Sequence, residues 1–210
     1  MKPLIQKTVV ALALAAGVVS LSGCFPLLLG GAVTGGVLVA SDRRTSGTQL
    51  EDNTIQLKSS NRISDNLGER VHVNVTSYNR QVLLTGEVPS EQDKQLVEKV
   101  VAGVENVRAV VNELAVLGNS TLTQRSSDTL VTSRVKANLV DARDLFANAF
   151  KVTTERGTVY LMGRVSQREA NRATEVVTGT SGVQRLVRIL EVISEDELAH
   201  LLPPPADAQK

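Results

Sequence analysis

The sequence is poor in the residue types that most often carry chemistry. It has no tryptophan, two tyrosines, three phenylalanines, two histidines and one cysteine. So few aromatic rings argue against a surface that stacks on bases or sugars. A single cysteine excludes an intrachain disulfide, so packing must hold the fold. The histidines stand far apart, His72 in a segment that reads as a strand and His200 near the C-terminus. No group of His, Cys, Asp or Glu has metal-ligand spacing, and no glycine-rich loop joins a strand to a helix in a phosphate-binding pattern. The sequence therefore predicts no catalytic residues, no metal and no cofactor, and His72 reads as an ordinary strand residue. A surplus of either charge is missing too, with 23 Lys and Arg against 22 Asp and Glu, a net charge of +1. That balance lacks the basic footprint that neutralises many phosphates, so no nucleic-acid partner is expected.

What is present begins at the N-terminus. Lys2 and Lys7 bracket a short positive segment, and Thr8 to Leu21 reads TVVALALAAGVVSL without a charge. A basic start, an apolar run and small residues at Ser22 and Gly23 describe an export signal over residues 1–23. Leu21-Ser22-Gly23-Cys24 resembles the lipobox of bacterial lipoproteins. That resemblance implies cleavage before Cys24, a thioether-linked diacylglycerol on its sulfur and acylation of the new amine. Two or three acyl chains make a lasting membrane anchor, whereas one alone is marginal. The alternative is a transmembrane anchor, because Thr8 to Ser41 carries no charge and about 20 residues span a bilayer. Ser22-Gly23 and Phe25-Pro26 interrupt that run, and proline inside a helix costs about 3 kcal/mol, so the lipoprotein is preferred. Position 25 is Phe, not the aspartate that retains lipoproteins at the inner membrane. The expected location is thus the outer membrane, facing the periplasm. Residues 24–47, with the Gly-rich apolar stretch from Leu27 to Ala40, read as a tether near the lipid; Gly31 and Gly35 match a helix-pairing spacing, a weak signal. Loss of Lys2 and Lys7 leaves 21 basic against 22 acidic residues, a net charge of −1.

Beyond the tether the chain repeats itself. Val82-Leu83-Leu84-Thr85-Gly86-Glu87-Val88 follows Val73-Asn74-Val75-Thr76, and Val159 to Val165 follows Phe150-Lys151-Val152-Thr153. The glycines Gly86 and Gly163 are 77 residues apart, Asp52 and Asp128 are 76 apart, and Gly103 and Gly182 are 79 apart. Punctuation that survives small loop changes marks one fold used twice. Each copy reads helix, strand, strand, helix, strand. Apolar residues at a four-residue step, Ile55, Ile63 and Leu67 in one copy and Val131, Val135 and Leu139 in the other, set the inner face of the first helix. Asp52 and Asp128 are expected as its N-caps. Alternating apolar residues flank turns at Asn79-Arg80 and Arg156-Gly157, which favour positive φ. The second helices open at Ser90 and at the capping box Ser166-Gln167-Arg168-Glu169. The last strands are Ala109 to Val116 and Leu186 to Ile193. The predicted fold is α+β, each copy a small three-stranded mixed sheet packed by two helices. Copy one spans residues 48–118, a linker 119–126, copy two 127–194, and an acidic, Pro-containing tail 195–210 that starts helical.

The V-x-L-x-G-x-V segment before the second helix, with Gly103-Val104-Glu105-Asn106-Val107 and Gly182-Val183 after it, resembles the BON domain family. The second copy departs from the family's G-V-x-x-V pattern, with Leu186 in place of Val. The resemblance covers Gly47 to Ile193 and implies tandem BON domains in a non-enzymatic envelope lipoprotein. It implies further that the second domain binds anionic phospholipid in support of outer-membrane integrity. Gly86, Gly103, Gly163 and Gly182 read as structural, at bulges or close contacts.

The two copies differ in charge. Residues 48–118 hold seven basic and ten acidic residues, −3, whereas residues 127–194 hold ten and seven, +3. Basic side chains at an anionic lipid surface contribute roughly 1 kcal/mol each. With Val131, Val135 and Leu139 inward, Leu130, Arg134 and Ala137 fall on an outward stripe. Leu130 stands where copy one has Thr54, and Lys136, Arg143 and Leu145 are expected to border this lipid-binding face. The expected partners are the membrane, through the acyl anchor on Cys24, and anionic phospholipid. The alternative is a membrane-anchored adaptor for an envelope or septal protein partner.

Overall fold

A computed structural model describes residues 42–201; the expected signal peptide, Cys24, most of the tether and the end of the tail lie outside them. The first helix, α1 (Ser46–Leu67), is N-capped by Thr45, whose side chain accepts from the Thr48 N–H. It buries Ile55, Ile63 and Leu67 on one face, with Ser59 filling the remaining four-residue step. Strands β1 (His72–Tyr78) and β2 (Gln81–Val88) pair antiparallel across a two-residue turn. Asn79 and Arg80 take φ of 49° and 64° there, the left-handed pair that matches strand twist. Helix α2 (Glu91–Ala102), capped by Ser90, returns the chain so that β3 (Ala109–Asn112) and β4 (Ala115–Val116) both join β2 in parallel. The expected single last strand is interrupted because Leu114 turns into the core at 2% exposure.

The second copy repeats this with α3 (Leu122–Asp141), β5 (Phe150–Glu155), β6 (Thr158–Ser166), α4 (Gln167–Thr178) and an unbroken β7 (Arg185–Ile193). A short α5 (Glu195–Leu201) follows and buries Leu198. The capping box on α4 is present as expected. Another opens α3 at Thr121 and Gln124, so residues 122–126, expected as linker, are helical. Both first helices begin well before the aspartates read as their caps. Asp52 and Asp128 sit inside α1 and α3 and clasp the hairpin turns instead. Asp52 accepts from the Asn79 N–H and the Arg80 N–H, each at 2.8 Å, and Asp128 accepts from the Arg156 N–H at 2.8 Å and the Gly157 N–H at 2.9 Å.

Each helix pair covers one face of its own sheet. Val82 and Leu84 of β2 enter the first core, and Val159 and Leu161 of β6 the second. The alternate residues form a third cluster, in which Leu83 and Tyr78 meet Tyr160, Met162 and Ile189. The two sheets therefore pack against each other with their helices outside, which is why β2 and β6 are buried on both faces. Thr76 and Thr153, equivalent across the repeat, lie 3.5 Å apart between hydroxyls. An element that touches its own counterpart marks a self-complementary, two-fold-like pairing of the copies. No helix among the described residues is long and apolar enough to cross a membrane.

Candidate functional site

The outward face of α3 sets large apolar side chains among the exposed polar residues Ser126, Ser133 and Asp141. Opposite the buried stripe Asp128, Val131, Val135 and Leu139 stand Leu122 at 81% exposure, Leu130 at 58% and Val140 at 66%. Exposed Ala137 lies among them. At about 100° per residue, exposed Arg134 and Lys136 fall on opposite flanks of this strip. Cations that flank an apolar strip can hold their heads in water while their stems cover the strip. Arg143, just past the helix, is also exposed. Leu145 is not part of the face. It is 8% exposed and packs in the second core, because the chain leaving α3 dips inward before the 3-10 turn Ala147–Ala149. The exposed apolar residue there is Phe146, under the Arg43 guanidinium at 5.6 Å from the ring centre.

The cations of residues 127–194 divide into two groups. Arg156, Arg164, Arg168, Arg172 and Arg185 each have a carboxylate within 4.0 Å. Among the described residues Arg134, Lys136, Arg143, Lys151 and Arg188 have none. Four of these five lie between 134 and 151: Arg134 and Lys136 in α3, Arg143 just after it and Lys151 in β5.

Residues 42–44 strap the copies together. Arg43 is 6% exposed and makes a bidentate pair with Glu169 at 2.7 Å, besides donating to the Arg164 carbonyl. Burial works against the Glu169 charge, but Arg43 and the Ser166 N–H hold its carboxyl below the usual range. Arg44 turns to the first copy, pairing with Asp42 and Asp52 and lying 4.2 Å above the Tyr78 ring. Between strap and α3 opens a cleft of about 490 Å³, walled by Arg44, Lys136, Val140, Phe150 and Lys151.

The repeat glycines are structural. A Cβ on Gly86 (φ 113°) would lie 2.0 Å from the His72 carbonyl oxygen, and one on Gly163 would lie 2.6 Å from that of Ala149. Gly182 (φ 95°) admits the Val131 side chain, and Gly103 caps α2 while its carbonyl accepts from Arg62.

The BON domain model matches residues 51–118 and 127–194. The chain belongs to the BON domain family. It is 36% identical over 176 residues to the outer membrane lipoprotein DolP of Haemophilus influenzae, covering 82% of this chain and 90% of that one. It is 30% identical to the 21 kDa hemolysin of Actinobacillus pleuropneumoniae, over 72% of this chain and 79% of the relative. Identity to osmotically-inducible protein Y of Escherichia coli K12 is 29%, over 71% and 76%. The tandem BON arrangement is DolP-like.

Where the BON domains meet, His72, Glu87 and Glu155 come within 4.8 Å of one another. No spacing along the chain signals this group, because Glu155 reaches it from the other domain. The distances suit a metal, but the Glu87 oxygens already face three partners: the His72 ring at 3.0 Å, the Ser120 N–H at 3.1 Å and Arg156 at 3.4 Å. Against burial, these contacts hold the Glu87 carboxyl below its ordinary range. Glu155 is displaced upward by burial and by the charge of Glu87, while an Asn74 amide donates to it at 2.9 Å. The group acts as an electrostatic junction between the domains.

Proposed function

We propose that the protein is an outer-membrane lipoprotein, acylated on Cys24 and facing the periplasm, whose second BON domain docks on anionic phospholipid in support of membrane integrity. The clustering of partnerless cations at α3, around Leu122, Leu130, Ala137 and Val140, carries this reading. The lipobox and the relatedness to a protein named as an outer membrane lipoprotein support the location. Apolar side chains enter the headgroup boundary while Arg134, Lys136 and Arg143 remain with the phosphates. All the core contacts described above lie at or after Arg43, so a chain starting at Ser41 keeps both domains without the anchor. That chain should sediment with vesicles containing phosphatidylglycerol but not with purely zwitterionic ones, and high salt should release it. The variant Leu130→Asp/Arg134→Glu, still folded, should lose at least tenfold in binding. Equal sedimentation of wild type and variant would defeat the docking face.

The adaptor reading has an observation of its own. Leu50 at 69% exposure and Leu57 at 64% stand seven residues apart on the outer side of α1, an anchor spacing used in helix recognition. If that face binds an envelope protein, Leu50→Ser/Leu57→Ser should abolish capture of the partner and leave vesicle binding intact.

A further inference from the structure

The junction of the two domains holds negative charge that its own partners do not balance. Glu87 and Glu155 are 0% and 8% exposed, and an oxygen of each lies within 4.8 Å of the other and of a His72 ring nitrogen. The three partners of Glu87 share its oxygens unevenly. The His72 ring and the Ser120 N–H both meet Oε2, whereas Oε1 faces only the exposed Arg156 guanidinium, at 3.4 Å. Glu155 has the neutral Asn74 amide on Oε2 and, among the described residues, no cation within 4.0 Å. Two buried carboxylates thus face one distant, solvated guanidinium, and a buried charge without a close counter-charge is costly. A second buried group lacks a partner as well. Thr85 is fully buried, and its hydroxyl makes no hydrogen bond among the described residues. It stands two residues from Glu87 on the same face of β2, directly across from Asn74 of β1. A cleft of about 340 Å³ has His72, Asn74 and Glu155 on its walls and gives an ion a way in.

We propose that His72, Glu87 and Glu155 hold one divalent ion of the zinc class across the domain junction, with water completing its shell. An imidazole beside two carboxylates is the donor set of a borderline ion, whereas Mg²⁺ and Ca²⁺ take oxygen ligands. Ligands at ~2.0–2.2 Å around a tetrahedral ion stand about 3.4 Å from one another, so side-chain shifts of about 1 Å complete the set. Arg156 has only to swing its exposed head into water. The ion's charge then answers both carboxylates, and the Thr85 hydroxyl is a spare donor for its water. His72 and Glu87 come from β1 and β2 and Glu155 from β5, so the ion ties the first domain to the second. This site is independent of lipid docking.

The test uses the chain from Ser41, which carries no thiol and only two imidazoles, His72 and His200. Titrated with Zn²⁺ by calorimetry near neutral pH, it should bind one ion per chain at this junction. At about a hundred times the dissociation constant, Zn²⁺ should raise the melting temperature by about 5–10 °C. The same concentration of Mg²⁺ should leave the melt unchanged. His72→Gln and Glu155→Gln should each weaken Zn²⁺ binding at least tenfold and lose the shift, whereas His200→Gln should behave as wild type. If His72→Gln melts early without metal, Glu155→Gln decides, because it keeps an oxygen for Asn74 and buries no charge. Absence of a Zn²⁺ shift, undiminished binding by the folded variants, dependence on His200 or an equal response to Mg²⁺ would each overturn the site.

Discussion

Glu155 is 8% exposed, beside another carboxylate, with an amide as its hydrogen-bond partner. Burial and the Glu87 charge raise its pKa above the ordinary carboxyl value. A folded-state pKa above the unfolded one means that the native protein holds this proton more tightly. The linked stability is present at acid pH and is lost as pH rises through the raised value. Glu155→Gln removes the ionisation and keeps an oxygen for Asn74. The variant should therefore melt above wild type at neutral pH, and the gain should vanish once the buffer is acid enough to protonate Glu155. Thermal melts across that range check it; a constant difference at every pH would show that ionisation is not the cause. Asp52 has the opposite sign. Despite burial, Ser77, Arg80, Arg44 and Asn79 lower its pKa, so its share of stability is lost as pH falls below the ordinary carboxyl range.

At the scale of elements, much was legible because each core-facing position repeats at a helical or strand period. The inward stripes of α1 and α3, both hairpins and the serines opening α2 and α4 could be read directly from the residues. The aspartates could not. A short acid just ahead of an apolar stripe looks like a helix cap, and the true starts are hidden because Ser46-Gly47-Thr48 and Leu122-Thr123-Gln124 make no core contact that periodicity could register. Leu145 escapes a periodic reading for a related reason: α3 has ended, so there is no helical phase to extrapolate. The turn clasp has a measurable consequence. Asp128→Ala strips two backbone N–H groups of their acceptor and should cost about 1–3 kcal/mol in denaturant unfolding. Asp52→Ala should cost more, because it also releases the Ser77 hydroxyl at 2.6 Å and Arg44 at 2.7 Å. Equal and small losses would mean that the turns hold themselves.

For the whole molecule, the opposite charges of the two copies do two jobs. Part of the second domain's surplus is used inside the protein, where Arg156 meets Glu87, Arg185 meets Glu113, and the first domain's Arg108 meets Glu191 in return. Of the remainder, Arg134 and Lys136 stand on α3 and Arg143 just after it, a division that net charge alone could not reveal because it depends on which faces the sheets bury. The strap then links both domains to the chain that leads toward Cys24. Arg43 is fixed in the second domain and Arg44 in the first, so an anchored protein would present the pair as one body. Removing one partner of a buried, hydrogen-bonded ion pair leaves the other charge stranded, at a cost of about 3–5 kcal/mol. Arg43→Met should thus lower stability by roughly 3 kcal/mol or more and open the strap to limited proteolysis. Arg43→Met/Glu169→Gln should lose less than the sum of the two single variants, since no buried charge is then left alone. Strict additivity in that double-mutant cycle would mean that Arg43 and Glu169 act separately, and the strap would hold the domains through Arg44 alone.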